Sequence, residues 1–169
     1  NYLMIIHQEY PEIKFNIVTN FPNWGWKSEV SYRYPEECTK YRLGYGDFYT
    51  TIKSILEEVS KEGIKISGVT IDNPYVYTIG KQRPSVLEDP TVIDWFSRLL
   101  DVEKYVKSQD LDYNFIFNDE KGGNTSDRAF YSATKEYVES YLEKGGRPYR
   151  YIIQSWYRYP EMSVPETGS

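Results

Sequence analysis

Two periodicities alternate along this chain, and that alternation most constrains what it can fold into. Short apolar, largely β-branched runs lie at residues 14–19, 64–71, 113–117 and 149–154. Between them, apolar residues recur every three to four positions. A period of two belongs to a strand and a period of 3.6 to a helix. The resulting order, β-α-β-α-β-α-β, predicts an α/β domain of mostly parallel strands joined by right-handed crossovers. A further strand is expected at 3–7, cut off from the next run by Pro11.

The helices announce their own ends. Asp47 is placed to cap a helix reaching about Ser60, with Phe48, Ile52, Ile55, Leu56 and Val59 on its apolar face and Gly63 as its stop. Asp89-Pro90 opens a second, with Ile93, Phe96, Leu99, Leu100 and Val106 as its buried stripe. Ser126 and Asp127 lead into a third at 128–143, terminated by Gly145-Gly146. A charged helix end followed by a glycine turn precedes a strand twice, as Lys61-Glu62-Gly63 and as Glu143-Lys144-Gly145-Gly146. Segments 20–46 and 73–88, rich in Tyr, Trp, Gly and Pro, are long loops of the kind that carry function.

A complete eight-stranded α/β barrel takes about 250 residues, and this chain has 169. The expected architecture is therefore a single domain that forms part or half of a (β/α)8 barrel. An open doubly wound sheet is the alternative. A half barrel exposes two sheet edges, so association with a second copy or with the rest of a barrel is also expected.

Each β-run breaks off into polar and aromatic residues: Asn20, Asn23, Trp24 and Trp26; then Asp72, Asn73 and Tyr75; then Asn118, Asp119 and Glu120; then Gln154, Ser155, Trp156 and Tyr157. Parallel strands bring their C-terminal ends to one side of the sheet, where ligands bind. Amides, carboxylates and indoles converging there suit a polyhydroxylated ligand. Composition narrows the field further. A net charge of −5 argues against nucleic acid, and no apolar run approaches the ~20 residues of a membrane helix. One cysteine, Cys38, and one histidine, His7, exclude an internal disulfide and multi-imidazole zinc sites. Gly122-Gly123 lacks the Lys-Ser/Thr of a triphosphate loop, and Gly44-Tyr45-Gly46-Asp47 lacks the preceding strand and third glycine of a dinucleotide fingerprint. Neither a metal nor a cofactor is expected. Aromatics make up 17% of the chain, including 18 Tyr, and supply flat faces with a polar handle.

Residues 64–157 resemble the middle of a barrel-type glycoside hydrolase, most closely the barrel xylanases. There, a run close to "gly-val-gly-leu-gln-ser-his" follows a helix ending in "lys-glu-gly"; here Gly145-Gly146 is followed by Tyr151-Ile152-Ile153-Gln154-Ser155-Trp156. A strand ending in "asn-asp-tyr-asn" has its counterpart in Phe117-Asn118-Asp119-Glu120. The resemblance implies a barrel and a carbohydrate ligand. It does not carry over the family's catalytic pair. The position of the acid/base glutamate reads Asp72-Asn73-Pro74, Ser155-Trp156 replaces Ser-His, and the chain ends before the strand that bears the nucleophile.

Glycosidic hydrolysis uses two carboxyl groups, one of them held protonated. Asp72, Asp119 and Glu120 are the candidates, with Glu120 as the general acid and Asp72 as its partner. Trp24, Trp26 and Trp156 are expected to stack on sugar rings, and Asn73, Asn118 and Gln154 to bond hydroxyls. Each has a plainer reading: Asp72 and Asp119 as loop caps, the tryptophans as core, Glu120 as a solvated residue. The functional expectation is hydrolysis of a polysaccharide. The competing one is a non-catalytic carbohydrate-binding or assembly protein, favoured by the missing glutamate and the short length.

Overall fold

The structure, a computed structural model, describes residues 2–27, 45–80 and 93–161. Its elements are α1 (Tyr2–Glu9), β1 (Phe15–Asn20), a 3-10 turn (Phe21–Asn23), α2 (Phe48–Lys61), β2 (Ile66–Asp72), α3 (Tyr75–Thr78), α4 (Trp95–Ser108), β3 (Asp112–Phe117), α5 (Glu120–Gly123), α6 (Asp127–Glu143) and β4 (Arg150–Ile153). The four strands form one sheet in the order β1-β2-β3-β4, all parallel. A doubly wound sheet needs a reversal of strand order at a switch point, and this order contains none.

The long helices start where the sequence says. The Asp47 carboxylate accepts the Thr50 backbone N–H at 3.2 Å, and the Ser126 hydroxyl accepts that of Ala129 at 3.1 Å. The second helix is a correction. It begins at Trp95, with the Asp94 carboxylate capping Ser97, while Asp89-Pro90 lies outside the described residues, as do Gly44 and Cys38. Residues 3–7, expected as a strand, are helical. A strand there would need a neighbour to pair with, whereas a helix satisfies its own N–H and C=O groups.

The two faces of the sheet differ in chemistry. Val69, Ile71, Tyr113, Phe115 and Phe117 point to the helix side and pack in one cluster with Phe48 and Ile52 of α2, Trp95, Leu99 and Val102 of α4, and Tyr137 and Tyr141 of α6. Rings make up much of this layer: Phe115 stacks on Tyr141 and meets Phe117 edge-on, and Phe117 stacks on Tyr151. Gly146 lets the α6–β4 turn lie against the Tyr141 ring, since a Cβ there would sit 2.2 Å from it. Alternate residues point to the other face, and many are polar: Asn16 and Asn20, Thr70 and Asp72, Asn114 and Asn118. On it the Asn114 amide donates to Asn16 Oδ1 at 3.2 Å and Thr70 Oγ1 at 3.3 Å, and Asn16 lies over Gly68, where a Cβ would meet its oxygen at 2.8 Å. Among the described residues no helix is long and apolar enough to cross a membrane.

Candidate functional site at the strand ends

The loops after β2 and β3 are joined residue by residue. Tyr75 N–H donates to the Asn118 carbonyl at 2.9 Å, Val76 N–H to Asp119 Oδ1 at 3.0 Å, and the Tyr77 hydroxyl to Glu120 Oε2 at 3.1 Å. Three consecutive residues thus hold three consecutive residues, and the ends of β2 and β3 form one rigid platform. The segment after β4 folds back onto it. Tyr159 N–H reaches the Gly123 carbonyl at 2.9 Å, and the Tyr157 ring lies on Gly123 so closely that a Cβ would be 2.8 Å from it. Gly122-Gly123 is therefore packed helix rather than a flexible turn able to adjust the reach of Glu120.

Asp72 stands at the centre. Its side chain is buried, with Oδ1 accepting the Asn118 amide at 2.6 Å and Oδ2 accepting the Trp156 indole N–H at 3.1 Å. Burial pushes its carboxyl above the usual aspartate range, and the two N–H donors offset only part of that. Trp156 itself is 63% exposed. One hydrogen bond thus pins an open indole beside a buried carboxyl. Glu120 is half-buried on the Tyr77 hydroxyl. The Tyr157 hydroxyl shares this neighbourhood: burial first, then the charges of Glu120, Asp72 and Asp119, hold it protonated well above the usual phenol range.

Asp119 is a cap. One oxygen accepts Val76 N–H and the other Gly122 N–H at 2.6 Å, so both are engaged by backbone. Burial raises its carboxyl too, against the pull of those two donors. Asn73 is wholly buried under α6; its side-chain amide donates to Thr78 Oγ1 at 2.8 Å, and its backbone carbonyl accepts the Tyr137 hydroxyl at 2.8 Å. Asn118 is buried as well, with Oδ1 left without a hydrogen-bond partner. Gln154 is half-buried just past β4. Of the other indoles, Trp24 is half-buried, donates to Thr19 Oγ1 at 2.6 Å and packs on Tyr45 and Phe48. Trp26 is in the core, between Phe21, Tyr49 and Tyr105, its N–H held by Asp101 at 2.7 Å. Its expected open face does not exist, because the chain turns back into the helix layer directly after the 3-10 turn.

Sequence reading passed over Tyr77, gave Tyr157 no role beyond its place at the strand end, and missed the polar face made by Asn16, Thr70 and Asn114. A signal for that face was present: within the β-runs these side chains share one parity with Asp72 and Asn118. Comparison of this chain with protein-family models, with curated proteins and with solved structures returns no match.

Proposed function

We propose that this chain hydrolyses a glycosidic bond of a polysaccharide, with Asp72 as the proton donor and Glu120 as the second carboxylate, on the rim of a half (β/α)8 barrel. The observation that carries the reading is the exposed Trp156 indole hydrogen-bonded to the buried Asp72 carboxyl. An indole fixed in this way presents an apolar face to a sugar ring beside a group able to protonate a leaving oxygen. The roles differ from those expected from sequence. Burial favours the protonated form of Asp72, and a general acid needs that form near neutral pH. Asp119 is left out, since its oxygens are held by two backbone N–H groups of the scaffold, whereas one of the two donors to Asp72 lies on the exposed Trp156 ring.

The barrel reading draws on three features: sequential strand order, helices packed against one face, and polar residues gathered at the strand C-terminal ends. The polar face is rich in amides, and the Asn114 and Asn118 side-chain oxygens are buried in it without a hydrogen-bond partner. The test is release of reducing ends from a panel of polysaccharides by the wild-type chain and by Asp72→Asn and Glu120→Gln. Turnover lost in both variants while polysaccharide binding persists supports the assignment. Binding by the wild type with no turnover on any glycan would make the protein a carbohydrate-binding module instead.

A further inference from the structure

We infer that two copies of this chain associate head to tail, the α1 helix of each seating in an apolar groove beside β4 of the other, so that two four-stranded sheets close into eight strands. The groove, about 420 Å³, runs between α6 and β4 and is walled by Phe130, Tyr131, Thr134, Val138 and Ile153. In a singly wound sheet this is where the helix following β4 packs. Ile153 is 58% exposed in it, and Tyr131 is exposed as well. At the opposite end of the sheet the surplus is reversed. Helix α1 precedes β1, none of its residues is buried, and Tyr2 and Ile5 are exposed. Among the described residues, one end therefore has a strand without a covering helix, and the other has a helix without a full bed. Each supplies what the other lacks.

Charge selects the same pairing. Residues 147–160 carry Arg147, Arg150 and Arg158 and no carboxylate; Arg158 lies 3.6 Å from Glu161, and Asp127 and Lys135 flank the groove as a pair of opposite sign. Residues 2–13 carry Glu9 and Glu12 and no lysine or arginine. Among the described residues β1 and β4 are also the two ends of the sheet, each with an outer edge that no described strand pairs and that a parallel neighbour would satisfy. A heterologous contact of this kind closes when the rotation it imposes brings the second pair of ends together; eight strands is the number at which side chains fill a small barrel. The inference rests on the half-barrel reading of the sheet and not on the glycosidase chemistry.

Light scattering on the purified chain tests it. The expected mass is twice the chain's 20.0 kDa. Ile153→Asp should weaken association by about tenfold or more, as should the double variant Glu9→Lys/Glu12→Lys, with unchanged circular dichroism because all three positions are exposed. Salt should weaken the wild-type pair and not weaken Glu9→Lys/Glu12→Lys, which has lost the attraction that salt screens. A monomer at every soluble concentration overturns the inference. So does a dimer indifferent to both variants, and so does a species that keeps growing beyond two copies, which would show a contact that does not close. Turnover by a strictly monomeric chain would leave the proposed chemistry standing while removing this assembly.

Discussion

Glu103 and Asp72 are both buried carboxylates, and their surroundings could hardly be less alike. Glu103, on α4, accepts the Tyr141 hydroxyl at 2.7 Å, the Arg147 N–H at 2.8 Å and the Lys107 ammonium at 2.7 Å. It ties α4, α6 and the turn before β4 together, and a cation sits on it. Asp72 has two neutral donors, one of them on an exposed ring. No lysine or arginine is among its hydrogen-bond partners within the described residues. A buried charge with a full set of donors belongs to the scaffold; a buried carboxyl without a cation is pushed toward its neutral form and is free to exchange a proton. The fold thus uses the same chemical group as a tie in the helix layer and, at the strand ends, as a buried carboxyl held by neutral donors.

The hardest way to break this contrast is Glu103→Ala. It strands the Tyr141 hydroxyl and the Arg147 N–H in the interior, and we expect a loss of about 3 kcal/mol in urea unfolding. A loss below about 1 kcal/mol would mean that Glu103 is no more structural than Asp72. Next comes Asp72→Asn. It keeps an acceptor for Asn118 and removes the transferable proton, so turnover should fall by about a hundredfold or more while stability changes by about 1 kcal/mol or less. A variant that unfolds instead would place Asp72 in the scaffold.

The pH dependence sharpens the comparison. Since Asp72 binds its proton more tightly folded than unfolded, wild-type stability is lost as pH rises from about 4, the unfolded value, through the raised folded value. Asp72→Asn lacks that loss. Its stability relative to wild type should therefore climb across this window and then level off, as read from urea midpoints at each pH. A difference that stays flat would place Asp72 in an ordinary solvated setting. The smallest expected effect is that of Trp156→Phe. The ring face stays and one N–H goes, costing about 1 kcal/mol or less in stability and a few-fold in glycan affinity. With that donor gone, Asp72 should hold its proton to higher pH, moving the alkaline limb of the rate profile upward. A limb that does not move would separate Trp156 from the acid.

Much of the scaffold was legible because its signals are local. Asp47 and Ser126 cap the helices they were expected to cap, since a side-chain oxygen reaches a backbone N–H three residues on and nothing distant is needed. The buried stripe Leu99 and Val106 is read from spacing alone. Where local signals compete, the reading slipped. Residues 3–7 are apolar without a clear helical period, and as a helix they satisfy their own N–H and C=O groups. Trp24 and Trp26 sit two positions apart after the same strand, yet one is half-buried at the rim and the other packs in the core against Tyr105, 79 positions further along. No window around Trp26 contains that partner.

What the sequence determined by itself was the alternation of strands and helices, the parallel sheet that follows from it, and the gathering of Asp72, Asn118, Glu120 and Trp156 at strand ends. Periodicity, caps and glycine stops act over a few residues and are written in the chain. Tertiary structure alone decided which carboxyl lies buried on neutral donors and which is consumed by backbone. Asp119 and Glu120 are neighbours in sequence, but Val76 N–H claims one and the Tyr77 hydroxyl the other. Asp72 meets Trp156 across 84 positions. The proton affinity of a carboxyl depends on the donors and the burial around it, and those come from chain segments far apart in sequence that only folding brings together.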